Sequence, residues 1–323
     1  MDTFWTENIR LKTIAFPRIM AAPMDGVIDS PMRQLIRDFS KKELLFSEMS
    51  HISAVANERT GRLLRYNPIE QPLAFQISGS SIRFMAEAVD KILEHKFVML
   101  NLNAGCPAKN VIKSGNGSAL MAKPDLLKEL LTFLYKKLEN KIPLTLKIRS
   151  GFKLKNALEI SLIAQDCGVE MIIIHPRTQP GGFSSRLDFD LVKQIKNSLS
   201  IPVVFSGNIN SFDRMKLTHE KTGVDGFMIG RALWGCPWKM KEITSHALGQ
   251  EFSISTKTMI EYAIKHLDLN NKFYGKNGYN AFKKQLPQYI KGLPGAATLR
   301  RELLQTQSYD DMKRMLSKLL SLN

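Results

Sequence analysis

Cysteine is scarce in this chain. It occurs only at positions 106, 167 and 236, with no C-x-x-C pair, which excludes a disulfide framework and leaves no zinc or dithiol motif. Long hydrophobic runs are also missing. No apolar stretch approaches the ~18 residues a membrane span requires, and the start M-D-T-F-W-T-E lacks the layout of a signal peptide. The expected protein is cytoplasmic, with no membrane partner and no metal. Nucleotide-binding fingerprints are absent too. Gly115-Asn116-Gly117 is not followed by the third glycine of a dinucleotide loop, and no G-x-x-x-x-G-K-[ST] occurs. Any nicotinamide must therefore come and go without a domain of its own. Acidic residues are outnumbered, 30 against 46 Lys and Arg, for a net charge of +16. That excess points to a polyanion, with nucleic acid ahead of an anionic membrane because no basic amphipathic helix stands out.

What is present is an ordinary globular composition, 44% hydrophobic and 24% charged, over 323 residues. That length suits one barrel-sized domain with an appendage, or two ordinary domains. Eight short apolar runs, at 19–24, 44–48, 73–77, 98–103, 144–148, 171–175, 203–206 and 226–229, are each followed by a helical pattern. They read as continuous, as parallel strands covered on both faces do. Eight such units in about 230 residues predict an α/β fold, a (β/α)₈ TIM barrel. The runs end in Pro23-Met24-Asp25, Glu48, Gln76, Asn103, Lys147 with Arg149, His175 with Arg177, Ser206-Gly207-Asn208 and Gly230-Arg231. A barrel gathers all of these on the one face that carries its active site; a doubly wound sheet would not. The last two groups follow strands seven and eight, where barrels often hold a phosphate on backbone N–H groups.

One loop stands out among these ends. N-A-G-C-P-A-K-N-V-I-K-S-G-N-G, 103–117, leaves the fourth strand and puts Cys106 at the barrel mouth, with Lys109 and Lys113 close behind. Cations so placed can hold an anion near sulfur or lower a thiol pKa from its free value of roughly 8.5. A small buried hydrophobe is the plainer reading, but a Gly- and Lys-rich loop is a poor place to bury a side chain. Cys167 and Cys236 read as structural.

The pattern changes after about residue 244, dividing the chain into a barrel, 1–244, and a helical domain, 245–323. Between 271 and 301 stand Lys272, Lys276, Lys283, Lys284, Lys291, Arg300 and Arg301 with no acid, interleaved with Phe273, Tyr274, Tyr279, Phe282 and Tyr289. Some of the aromatics are expected to form a small core. The remainder suit phosphate contact and base stacking.

With these residues in view, the chain resembles the flavin-dependent tRNA-dihydrouridine synthases, near the bacterial B-type branch. A-A-P-M-D-G-V-I-D-S-P-M-R (21–33) is similar to the family's opening A-P-M-x-G-x-T-D, and N-A-G-C-P-A-K (103–109) to its N-x-G-C-P signature. L-T-L-K-I-R-S-G (144–151), I-H-P-R-T (174–178), M-I-G-R-A (228–232) and Y-I-K-G-L-P-G (289–295) follow in the family's order. The resemblance implies FMN on the open face, with Pro23, Met24 and Asp25 lining it, Gln76, Asn103 and Lys147 touching ring or ribityl chain, and His175 near the ring. Ser206, Gly207, Asn208, Gly230 and Arg231 would hold the phosphate. It implies NADPH or NADH as reductant, and reduction of the uracil C5=C6 bond of specific tRNA uridines in the D-loop. Hydride would reach C6, and Cys106 would protonate C5. Lys109, Arg149, Arg177, Lys283, Lys284, Lys291 and Arg300 are candidate contacts to substrate or RNA, and a monomer is the expected state. The chain departs from the family at Gln179, Pro176, S-G-N (206–208) and K-K-Q (283–285), which bears on RNA affinity and fine contacts. Two alternatives are another FMN barrel acting on a small molecule, such as a dihydroorotate dehydrogenase or an ene-reductase, and a non-catalytic RNA-binding protein. The first explains the flavin face equally well but leaves the basic helical region unexplained; a colourless protein that cannot be reconstituted with FMN would support the second.

Overall fold

The computed structural model describes residues 3–182 and 184–321. A short antiparallel hairpin, β1 (Asn8–Arg10) and β2 (Ala15–Pro17), precedes eight strands: β3 (Ile19–Ala21), β4 (Leu45–His51), β5 (Leu73–Ser78), β6 (Met99–Ala104), β7 (Leu144–Gly151), β8 (Met171–Thr178), β9 (Val203–Ser206) and β10 (Gly226–Ile229). The eight pair in parallel in the order β3-β10-β9-β8-β7-β6-β5-β4. A parallel bridge between Met20 and Leu44, with Ala21 N donating to Leu44 O at 3.0 Å, closes the ring. The fold is the expected (β/α)₈ barrel, and the strands fall on the eight apolar runs.

Alternation within each strand divides the core. Leu144, Leu146 and Ile148 of β7 point outward and pack under the helices. The inward set, including Met20, Phe46, Ala74, Met99, Met171, Ile173, Val204 and Met228, fills the barrel's lower interior. The hairpin drives Ile9 and Phe16 into that same cluster and plugs the barrel floor. Strands of three residues are too short to leave a periodic signal, so sequence reasoning missed this plug.

The helical half contains Thr256–Tyr274, Gly278–Lys283, Leu286–Tyr289, Ala296–Gln305 and Tyr309–Ser321. Helix Lys239–Ala247 runs through position 244, and an irregular connection, 248–255, separates it from Thr256. Leu267, Phe282, Leu286, Tyr289 and Leu303 form the core of this half together with Trp238. Phe282 and Tyr289 are therefore core residues with no exposed face for a base. No helix among the described residues is long and apolar enough to cross a membrane.

The two halves are tied together at the barrel mouth. Gln285 Nε2 donates to Val27 O (2.8 Å), and Trp234 Nε1 to Lys284 O (2.9 Å). Tyr274 OH donates to Asp29 Oδ2 (2.9 Å), while Asp29 Oδ1 caps helix Ser30–Phe39 by accepting from Met32 N (3.0 Å). The loop Pro23–Val27 thus lies between the barrel axis and the helical half.

Candidate active site

Side chains at i and i+2 on each strand climb the inner wall. On β6 these are Asn101 and Asn103, and on β7 Thr145, Lys147 and Arg149. Deep in the wall, Gln76 Nε2 donates to Asn101 Oδ1 (2.7 Å), Asn101 Nδ2 to Thr145 Oγ1 (2.8 Å) and Asn103 Nδ2 to Gln76 Oε1 (2.9 Å). Each amide is oriented by its neighbour, as buried polar groups must be. Asn103 Oδ1 then accepts from both Gly105 N (3.0 Å) and Cys106 N (2.8 Å), and Arg149 Nε donates to Gly105 O (2.8 Å). The cysteine loop is held to its strand by one amide below and one guanidinium beside it.

Above this network opens a cavity of about 550 Å³. All twelve strand-end residues expected at a cofactor line it: Pro23, Met24, Asp25, Gln76, Asn103, Lys147, His175, Ser206, Gly207, Asn208, Gly230 and Arg231. Cys106 and Arg149 line it as well. Its charge is one-sided. Burial, with repulsion from Arg149, lowers the Lys147 pKa to about 8, the nearby Cys106 acting the other way. Burial, then Lys147, Arg149, Arg177 and Arg231, pushes His175 down to about 2, so its imidazole is neutral at physiological pH. Burial raises the Asp25 carboxyl.

Between β9 and β10 the wall is made of backbone. Gly207 has φ +153°, and a Cβ there would stand 3.0 Å from Leu187 Cδ2 and 3.3 Å from His175 Cδ2. A Cβ on Gly230 would meet Met24 Sδ at 3.0 Å. Arg231 Nη2 donates to Asn208 Oδ1 (3.0 Å) and joins the two loops. Glycines that keep backbone exposed beside an arginine make a cradle suited to an anion such as a phosphate. A phosphorylated, partly apolar ring system such as FMN fits this donor set and volume.

The other candidates lie elsewhere. Lys109 is exposed on the short helix Lys109–Lys113 and lies outside the cavity lining, so the cations coupled to Cys106 are Lys147 and Arg149. Arg177 is buried, donating to Ser185 O (2.7 Å) and contacting His175 Nε2 (3.3 Å), and it lines a neighbouring cavity with Arg214. Lys283 is half-buried, with Nζ donating to Thr306 O (2.7 Å), whereas Lys284, Lys291 and Arg300 are exposed. Sequence reasoning missed Asn101, Thr145, Met49 and Arg214. The first two were within reach: 100–103 and 144–149 alternate apolar and polar rather than running continuously apolar, so Asn101 and Thr145 share the inward face of Asn103 and Lys147.

Comparison with known proteins agrees with this geometry. The family model described as dihydrouridine synthase matches residues 20–322. The tRNA-dihydrouridine synthase B of Pseudomonas aeruginosa is 30% identical over 309 residues, 94% of this chain and 92% of its own. That of Pasteurella multocida is 33% identical over 285 residues, 85% of this chain and 84% of its own. Among solved structures, an old yellow enzyme homologue from Zymomonas mobilis aligns with TM-score 0.57 at 12% identity, over 75% of this chain and 93% of its own, a likeness of fold.

Proposed function

Because the chain belongs to the dihydrouridine synthase family, we propose that it is an FMN-dependent tRNA-dihydrouridine synthase that reduces uridines of the tRNA D-loop with electrons from NADPH or NADH. The observation that carries this reading is the meeting, in one cavity, of a glycine-lined anion cradle, a buried lysine and a thiol on a clamped loop.

FMN bound there would pass hydride from a reduced nicotinamide to C6 of uracil. The chain's own residues do the rest. Ser206, Gly207, Asn208, Gly230 and Arg231 grip the phosphate. Lys147 and the neutral His175 supply polar contacts in the buried part, and Gln76 and Asn103 present amides whose orientation is already set.

Hydride arrival at C6 leaves an electron pair at C5, which must take a proton. Cys106 Sγ–H supplies it: the C5–H bond forms, the S–H bond breaks, and the thiolate stays beside Lys147 and Arg149 until solvent reprotonates it. His175 is a poor rival because its ring is already neutral, and Lys109 stands outside the cavity.

A base inside a folded tRNA cannot reach this depth unless it leaves its stack, so the enzyme must hold the rest of the RNA meanwhile. Residues 245–323, with exposed Lys284, Lys291 and Arg300, serve as that holding surface. The test is spectroscopic: the pure protein should be yellow, be bleached anaerobically by NADPH, and regain its flavin bands on addition of unmodified tRNA. Bands that return with a small enone but not with tRNA would assign the barrel to a small-molecule oxidoreductase.

A further inference from the structure

A second cavity, of about 230 Å³, opens beside the first, and Asp25 and Met49 line both. Its walls come from the two halves of the molecule: Glu48 from β4, Arg62 and Arg65 from the segment before β5, and Phe273 and Tyr274 from the end of helix Thr256–Tyr274. The volume is below the ~300–1,000 Å³ of cofactor and drug-sized pockets. It is the size class of a single planar base.

Several of the polar groups in it are already committed to protein partners. Arg33 donates to Glu70 (2.6 Å) and Ile28 O (2.8 Å), and Tyr274 OH donates to Asp29. Glu48 accepts from Gly26 N at 2.6 Å through Oε1, which leaves most of a carboxylate's four lone-pair sites for a ligand. Burial raises its pKa, as expected of a carboxylate short of donors. Across the cavity the Arg65 guanidinium lies 4.3 Å from the Phe273 ring centroid and donates to Phe273 O (3.0 Å). An arginine plane backed by an aromatic ring is a stacking surface for a base. Arg62 is exposed at the rim, where a phosphate would pass.

Base chemistry narrows the occupant. A carboxylate is matched by two adjacent N–H donors, and among the four bases only guanine carries them side by side, at N1 and N2. In adenine and cytosine the amino group adjoins a ring acceptor, and in uracil N3–H is flanked by two carbonyls. We propose that the second cavity is a guanine subsite for a nucleotide next to the target uridine, with Glu48 accepting from N1–H and N2–H and the Arg65–Phe273 pair stacking on the base. The proposal rests on the first cavity being the uridine site.

The test uses the full chain loaded with FMN and fluorescein-labelled single-stranded heptaribonucleotides carrying one uridine flanked on both sides by G, A or C. Fluorescence anisotropy should give about tenfold tighter binding for the G-flanked probe. Glu48→Gln keeps an oxygen for Gly26 N but turns an amide donor toward the base, and should abolish the preference. Arg62→Ala should weaken all three probes alike. Equal affinities in the unaltered protein, or a preference that survives Glu48→Gln, overturn the subsite. Reduction of unmodified tRNA is scored in parallel. Turnover without guanine preference overturns the subsite alone; guanine preference without turnover leaves guanine binding by the second cavity standing but overturns the uridine assignment of the first cavity, and with it the placing of the subsite beside a target uridine.

Discussion

Lys147 is expected to make flavin binding depend on pH, with a sign that follows from its burial. In the free protein desolvation, assisted by Arg149, lowers its pKa to about 8. A flavin that sets an acceptor or negative charge against Nζ favours the ammonium and draws the pKa back toward ~10.4. About nine-tenths of the free protein carries this proton at pH 7 and about one-tenth at pH 9. Above pH 8 the protein has shed a proton that the complex needs, so binding takes one up and weakens as pH rises; below pH 7 this group contributes no slope. The Kd for FMN should therefore rise roughly tenfold between pH 7 and pH 9, about 1.4 kcal/mol. Quenching of free FMN fluorescence by apoprotein, from about pH 6.5 to 9.5, measures this directly. Lys147→Met keeps bulk and packing but not the charge. It should bind FMN roughly tenfold or more weakly at pH 7, the usual worth of a hydrogen bond to a charged group, and show no slope. A wild-type Kd flat to pH 9.5, or an unchanged slope in the Met variant, would refute the assignment of Lys147 as a flavin contact.

Three further outcomes are expected. Cys106→Ala should retain FMN and its reduction by NADPH while losing about 10²–10⁴-fold in anaerobic reoxidation by unmodified tRNA, measured in a single turnover; reoxidation at the wild-type rate would make the thiol a structural residue of its loop. Replacing Lys284, Lys291 and Arg300 with Glu should weaken tRNA binding and flatten its log–log salt dependence by roughly 0.7–0.9 per lost phosphate contact, with NADPH oxidation by oxygen unchanged; an unaltered slope moves the RNA surface to the barrel rim. Asn103→Ala removes the acceptor for both Gly105 N and Cys106 N, and urea unfolding should show a loss of about 1–3 kcal/mol; a smaller loss would mean the loop is held chiefly by Arg149.

The barrel and its active face could be read from the chain because each depends on local pattern. Parallel strands need apolar side chains toward the helices, and that need repeats every strand–helix unit. The polar ends of those runs then have one place to go, which is why Gln76, Asn103, Lys147, His175 and the 206–208 and 230–231 groups meet in one cavity. Cys106 was legible for a similar reason: a thiol between glycine and proline just past a buried strand must stand at the mouth.

What remained hidden depends on which distant segments meet. Arg65 reaches Phe273 across 208 positions, and Gln285 reaches Val27 across 258. No periodicity records such a meeting, so the second cavity has no trace in the linear chain. The basic stretch 271–301 looks uniform in sequence, yet packing divides it: Phe282 and Tyr289 go to the core, Lys283 ties down Thr306, and Lys284, Lys291 and Arg300 stay in water. The amino-acid sequence by itself determined the barrel, its open face and the place of the cysteine loop at the mouth, because hydrophobic period and strand-end polarity act over a few residues. Only the tertiary structure decided the floor plug, the charge environment of Lys147 and His175, and the cleft between the halves, because burial and Coulombic coupling depend on distances in space that chain separation does not set.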